Sequence, residues 1–150
     1  MELILWRHAE AFDGIPDMER SLTDKGLKQA ERMAGFLRSR MPQDTRILVS
    51  PAKRAQQTAQ ALTRHFITEP AIAPGCSVQS LFKAANWPDD DGCVLIVGHQ
   101  PTLGGAAARL LCDSQNSFSV KKGAVWWLTC RSKDGDSQTN LRLVIAPDLL

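Results

Sequence analysis

Apolar positions along the chain fall into two kinds of run. Residues 2–6, apolar from Leu3, and the continuous apolar stretches 47–49 and 93–97 have the pattern of strands buried on both faces in a parallel sheet. Between them Leu27, Ala30, Met33, Ala34 and Leu37 recur at helical spacing, and so do Ala55, Ala59, Leu62 and Phe66. Those stripes predict amphipathic helices laid on the sheet. Thr23 is placed to cap the first helix, and Pro42 limits it to about residue 40. Ser50 as N-cap with Pro51 at the first helical position predicts the start of the second, which the stripe carries to about residue 66.

The second half of the chain continues the alternation. Residues 71–73, between Pro70 and Pro74, read as extended, and 78–85 as a short helix. Pro101 opens a helix to about residue 112, in which Gly104, Gly105 and three alanines allow close approach to the sheet. Residues 124–130 and 141–145 flank Asp134-Gly135 and read as a hairpin. Trp126 and Trp127 point to opposite faces of it, one into the core and one part-exposed. The order β-α-β-α-(α)-β-α-β-β predicts a single three-layer α/β/α domain over residues 1–150, with a mainly parallel central sheet.

Composition narrows the function classes. A formal net charge of +2, with no run of Lys or Arg longer than Lys121-Lys122, gives no electrostatic footprint for nucleic acid or a membrane surface. The four cysteines, Cys76, Cys93, Cys112 and Cys130, form no C-x-x-C pair, so neither a zinc ribbon nor a thioredoxin-type site is expected. Asp89-Asp90-Asp91 fits no calcium loop and reads as a solvated turn. The amino terminus has no signal-peptide pattern, and a cytoplasmic, monomeric protein without metal or cofactor is the expectation.

The chemistry sits where the strands end. The first apolar run stops at Arg7-His8, the second runs into Ser-Pro-x-x-Arg with Arg54 in the first helical turn, and the third ends at Gly98-His99. Singly, each has an ordinary reading: a solvated charge, or a histidine satisfied by backbone. A cation in a helix's first turn is disfavoured by the macrodipole, unless an anion binds between the two. If the three strand ends adjoin, two guanidiniums and two imidazoles meet at the carboxyl edge of the sheet, where open α/β sheets bind ligands. Arginine forks match phosphate oxygens. They also depress the pKa of a neighbouring histidine, and a neutral imidazole can attack phosphorus.

Taken together, Arg7-His8, Ser50-Pro51-x-x-Arg54-Ala-x-x-Thr58 and Gly98-His99 resemble, in order and spacing, the histidine phosphatase superfamily, which includes the cofactor-dependent phosphoglycerate mutases. Arg20-Ser-Leu-Thr-x-x-Gly26 and the short length are similar to its SixA-type phosphohistidine phosphatases. The resemblance implies a phosphoglycerate mutase-like fold. It implies His8 as the nucleophile that becomes phosphohistidine, Arg7, Arg54 and His99 as ligands of the phosphoryl oxygens, and Arg20 as an outer phosphate contact. The usual Arg-His-Gly is Arg-His-Ala here, which requires negative φ at Ala9. Residues 71–88 hold no Asp or Glu, although that region carries the general acid of the phosphomonoesterase branches. An imidazole can leave with a proton it already holds, whereas an alkoxide needs one delivered. The resemblance therefore implies a phosphohistidine-bearing protein, such as a phosphorelay or phosphotransferase component, as substrate and partner. A small-molecule phosphomonoesterase drawing its acid from Glu10, Asp13, Asp17 or Glu19 is one alternative, and a catalytically idle phosphate-binding module is another.

Overall fold

Continuous apolar runs can only be satisfied by cover on both faces, and the computed structural model, which describes residues 1–150, supplies it. The strands are β1 (Glu2–Arg7), β2 (Arg46–Val49), β3 (Ile67–Thr68), β4 (Cys93–Gly98), β5 (Val125–Lys133) and β6 (Asp136–Ile145). They form one sheet in the order β3-β2-β4-β1-β5-β6. The first four are parallel, and β5 and β6 are antiparallel additions. The helices are α1 (Asp24–Arg40), α2 (Lys53–Gln60), α3 (Val78–Ala85) and α4 (Thr102–Cys112). No helix is long and apolar enough to cross a membrane.

Strand alternation sorts the core into two layers. Leu3, Leu5, Val94 and Ile96 pack with Leu81 and Ala85 of α3 and Leu103, Ala106 and Ala107 of α4. Ile4, Trp6, Leu95 and Val97 pack on the other face with Met33, Ala34 and Leu37 of α1 and Ala55 and Ala59 of α2. The expected three-layer architecture is therefore present. Trp127 is buried in the second layer, while Trp126 is part-exposed and lies against Phe118, with ring centroids 5.2 Å apart. The neighbours β1 and β4 are followed by helices on opposite faces of the sheet. Their carboxyl ends thus open a crevice at a topological switch point, where α/β sheets hold ligands.

Several local expectations give way to tertiary demands. The second helix starts at Lys53 with Ala52 as its N-cap and ends at Gln60, not from Ser50 to about residue 66. Its stop lets Ile67 and Thr68 pair with Leu48 and Val49 as an edge strand, while Leu62 and Phe66 still reach the core. Residues 70–72 form a 3₁₀ turn rather than an extended segment. Leu27 is 43% exposed; the buried position on that turn is Gly26, where a Cβ would stand 2.0 Å from the Glu10 carbonyl oxygen. The alanines of α4 do face the sheet, but its glycines admit other neighbours. A Cβ on Gly104 would meet the Phe118 carbonyl, and one on Gly105 the Val78 side chain. The aspartate run is indeed a turn. Asp90 accepts from the Gly92 amide and from Arg46, whose guanidinium also donates to the Ala84 and Ala85 carbonyls at the end of α3.

Candidate active site

The three chemistry-bearing strand ends adjoin. Arg7 of β1 is in register with Gly98 of β4, and Val49 of β2 with Val97. The backbone ladder continues one residue beyond each strand, with the His8 amide donating to the Gly98 carbonyl at 3.1 Å and the Ser50 amide to the Val97 carbonyl at 3.1 Å. This brings the His8 and His99 rings to 5.2 Å between centroids. Arg7, His8, Arg20, Arg54 and His99 line one cleft of about 220 Å³, with Lys122 at its side. All five residues singled out from the sequence are therefore brought together.

His8 is 8% exposed. Its Nδ1 lies 2.7 Å from the Ala9 carbonyl oxygen. A carbonyl has no proton to give, so Nδ1 carries the hydrogen and Nε2 keeps its lone pair. Arg54 Nε donates to that Nε2 at 3.3 Å. Burial pushes the His8 pKa down to about 4; the Ala9 carbonyl opposes the shift, and the charges of Arg54, Arg7 and Arg20 add to it. The repulsion expected from the arginines is real but second to desolvation. The imidazole is neutral at pH 7, with its nucleophilic nitrogen turned to the guanidinium.

His99, 5% exposed, is driven to about 3, again by burial first and then by His8 and Arg54. Its Nε2 is 2.7 Å from Ser50 Oγ, and its Nδ1 is buried without a hydrogen-bond partner. Ser50 is thus spent on His99 and makes only a 3.3 Å contact with the Ala52 amide, so it orients a ring rather than capping a helix. When the serine hydroxyl donates to Nε2, Nδ1 bears the proton and can serve an oxyanion. Arg7 is held by its Nη1 donating to the Val120 carbonyl at 2.7 Å, and its buried Nε has no partner.

Arg54 is 4% exposed. Its Nη1 donates to the Asp17 carbonyl oxygen at 2.8 Å, and its Nη2 to the Asp17 carboxylate at 3.1 Å. Arg20 donates from Nε to the Phe12 carbonyl at 2.7 Å and from Nη1 to Asp17 at 3.1 Å. It fastens the loop after β1 as well as lining the cleft. Arg20 first, then Arg54, holds the Asp17 carboxyl below the usual carboxylate range. Asp17 is therefore an ionised partner of two arginines and a poor proton donor at neutral pH. Thr58 joins α2 to the strand end, its hydroxyl donating to the Arg54 carbonyl at 2.7 Å and accepting from the Ala9 amide at 3.0 Å. Ala9 is fully buried and is not among the residues with positive φ, so alanine fits where the family pattern has glycine.

Ser50 was visible as an N-cap and a motif letter, Thr58 only as a motif letter, and Asp17 only as one acid among four. Lys122 had no signal beyond its charge. What places Ser50, Thr58 and Asp17 is contact across 37 to 49 residues of chain, which local pattern does not encode.

The histidine phosphatase superfamily (branch 1) family model matches residues 3–75. An uncharacterized protein of Mycobacterium tuberculosis is 33% identical over 124 residues, 76% of this chain and 75% of its own length. The chain belongs to the histidine phosphatase superfamily. Its kinship there is of the SixA type. The phosphohistidine phosphatase SixA of Escherichia coli is 27% identical over 119 residues, covering 73% of this chain and 74% of that one. A SixA-type structure from Nakamurella multipartitia superposes with a TM-score of 0.82 at 25% identity, over 97% and 95% of the two chains. The phosphoglycerate mutase-like fold and a phosphatase assignment follow for this superfamily member.

Proposed function

We propose that the protein hydrolyses phosphohistidine on another protein by way of a covalent intermediate on His8. The observation that carries this reading is the fixed tautomer of His8, neutral and with Nε2 against Arg54 in a cleft of cations. In the first step the Arg54 Nε–H hydrogen bond passes from His8 Nε2 to a phosphoryl oxygen, and the freed Nε2 lone pair forms a bond to phosphorus while the P–N bond to the substrate imidazole breaks. The electron pair returns to that imidazole, which leaves neutral because its other nitrogen already holds a proton. His8 becomes a cationic N-phosphoimidazolium, its Nδ1–H still donating to the Ala9 carbonyl. Water then attacks phosphorus, the bond to Nε2 breaks, and phosphate departs. Arg7, Arg54 and His99 hold the phosphoryl oxygens through both steps, the electrostatic positioning that dominates phosphoryl transfer. Arg20 stands at the edge of the cleft as an outer contact.

The substrate class is favoured by how the acids are disposed. Asp17 is committed to Arg54 and Arg20, Glu10 accepts from the Thr23 hydroxyl, and the segment after α2 gives the cleft Pro74. Asp13 is the remaining carboxylate lining the cleft, fully exposed and 3.8 Å from Arg20. The deciding experiment compares hydrolysis of a histidine-phosphorylated protein, free phosphohistidine and a panel of phosphate esters. Preference for the phosphoramidates, loss of all turnover in His8→Ala, and insensitivity of that turnover to Asp13→Asn are expected. Efficient ester hydrolysis that collapses in Asp13→Asn would instead establish a small-molecule phosphomonoesterase.

A further inference from the structure

The loop between β1 and α1 carries an apolar surface that the reaction at His8 does not use. Phe12 is 56% exposed, Ile15 97% and Met18 40%, three large apolar side chains within seven residues. Exposed apolar residues scattered singly need no explanation, but Phe12 and Ile15 line one groove, and apolar side chains grouped beside a functional cleft mark an interaction site. This cluster is presented by a fastened loop. Ala11 bridges to Leu22, the Phe12 amide donates to the Ser21 carbonyl at 2.9 Å, and Arg20 ties Phe12 to Asp17. Arg54 then joins the same loop to α2 through the Asp17 carbonyl and carboxylate. These contacts fix both ends of the segment that carries Phe12 and Ile15, which lowers the backbone entropy lost when it is covered.

The surface is continuous with the cleft. A groove of about 230 Å³ runs between Phe12, Ile15 and Pro16, and it shares Asp13 and Arg20 with the cleft that holds His8. On one side of Arg20 lie the cations that complement a phosphoryl dianion; on the other, Phe12 and Ile15 stand exposed beside a groove whose remaining lining is Asp13, Gly14, Pro16, Glu19 and Ser21. A free phosphorylated metabolite has a polar body and gains nothing from those two apolar side chains. A folded protein gains from both when its phosphorylated side chain enters the cleft and apolar neighbours on its surface cover the loop. The cleft supplies the charge complementarity and the loop supplies burial, the division of labour seen between polar recognition and apolar anchors at protein interfaces.

We infer that the loop bearing Phe12, Ile15 and Met18 is the docking surface for a phosphohistidine-bearing protein whose surface beside the modified imidazole is apolar. This rests on the proposed phosphohistidine reading and adds the feature that selects among phosphohistidine proteins. The loop residues are specificity determinants, and none of them touches the reacting atoms.

The test uses histidine-containing carrier proteins phosphorylated with phosphoramidate, taking the one that the wild-type enzyme turns over fastest, alongside free phosphohistidine. Ile15→Glu and Phe12→Ser change exposed side chains, and unchanged circular dichroism and thermal midpoint are expected of both. Each variant is expected to raise KM for the protein substrate about tenfold, the loss of one buried apolar anchor. Turnover of free phosphohistidine is expected to stay within about twofold, because the cleft is untouched. Equal kinetics of wild type and variants on the protein substrate would overturn the docking role while leaving the phosphohistidine reading intact. An equal loss on both substrates would overturn it too, by placing the loop in the chemistry. Concentration-dependent self-association of the wild type that Ile15→Glu abolishes would assign the surface to a second copy of this chain. A wild type that cleaves esters and no phosphohistidine would remove both proposals together.

Discussion

The two buried histidines give the fold a measurable acid liability. In the unfolded chain a histidine titrates near 6.5, whereas burial holds His8 at about 4 in the native state. The native protein therefore binds fewer protons than the unfolded chain between those values. The stability this contributes is fully present above 6.5 and is lost as the pH falls towards 4, below which both states are protonated. For His8 alone the full loss is about 3 kcal/mol, at 1.36 kcal/mol per pKa unit. Between pH 7 and pH 5 it amounts to about 2 kcal/mol. His99, held at about 3, adds a loss of the same sign. Urea unfolding in phosphate-free buffer at pH 7, 6 and 5, for wild type and His8→Gln, reports the His8 contribution together with the part of the His99 shift that His8 causes, because the remaining titrations cancel in the difference. The wild type is expected to lose about 2 kcal/mol more than the variant across that range. Parallel loss in the two proteins would refute a buried, neutral His8, and with it the nucleophile's protonation state. The same titration sets the activity profile: kcat/KM is expected to hold as pH falls to about 5 and to decline as His8 protonates near 4.

Three further outcomes follow from particular contacts. Thr58→Val keeps the shape of the side chain but leaves the buried Ala9 amide without its acceptor, so a loss of about 1–3 kcal/mol in urea unfolding is expected. Ser50→Ala removes the hydroxyl that fixes the His99 ring; kcat is expected to fall about tenfold, the scale of an orienting partner, with a shifted pH profile and little change in thermal midpoint. Asp17→Asn removes a negative charge from beside Arg54, and inhibition by inorganic phosphate is expected to tighten about threefold, a modest effect because the carboxylate is exposed. Weaker phosphate inhibition in that variant would make Asp17 chiefly a brace for the guanidinium.

The sheet and the site differ in how far pattern alone could reach them. Leu3 and Leu5 face α3 and α4, while Ile4 and Trp6 face α1 and α2. That two-sided burial is what makes the run continuously apolar, so the parallel core was legible. The convergence of His8, Arg54 and His99 was legible for a related reason, since residues just past buried strands must emerge at the same sheet edge. The partners of those residues were not. Ser50 has the chemistry of an N-cap, and only the arrival of His99 from a strand 49 residues away turns its hydroxyl aside. Likewise α2 has the stripe to continue past Gln60. It stops because the edge of β2 offers backbone hydrogen bonds to Ile67 and Thr68. In both places a long-range partner outbid a local preference, and no local window contains that partner.

The position of Asp17 bears on the phosphoramidate substrate proposed above. A general acid must hold a proton at working pH and lie beside the leaving group. Asp17 is bound to Arg54 and Arg20, which line the cleft, and the two arginines keep it ionised; a carboxylate on those guanidiniums opposes the approach of a phosphate dianion. For an ester this is a double cost, because the carboxylate repels the substrate and delivers no proton to the alkoxide. A phosphorylated imidazole that carries its own proton is a weaker net anion and needs no donor, so both costs shrink. The carboxylate meanwhile keeps Arg54 aimed, its Nε on His8 and its two terminal nitrogens on the loop. The contact that would hinder an ester phosphatase is therefore compatible with phosphohistidine, and it anchors the loop whose apolar face adjoins the cleft.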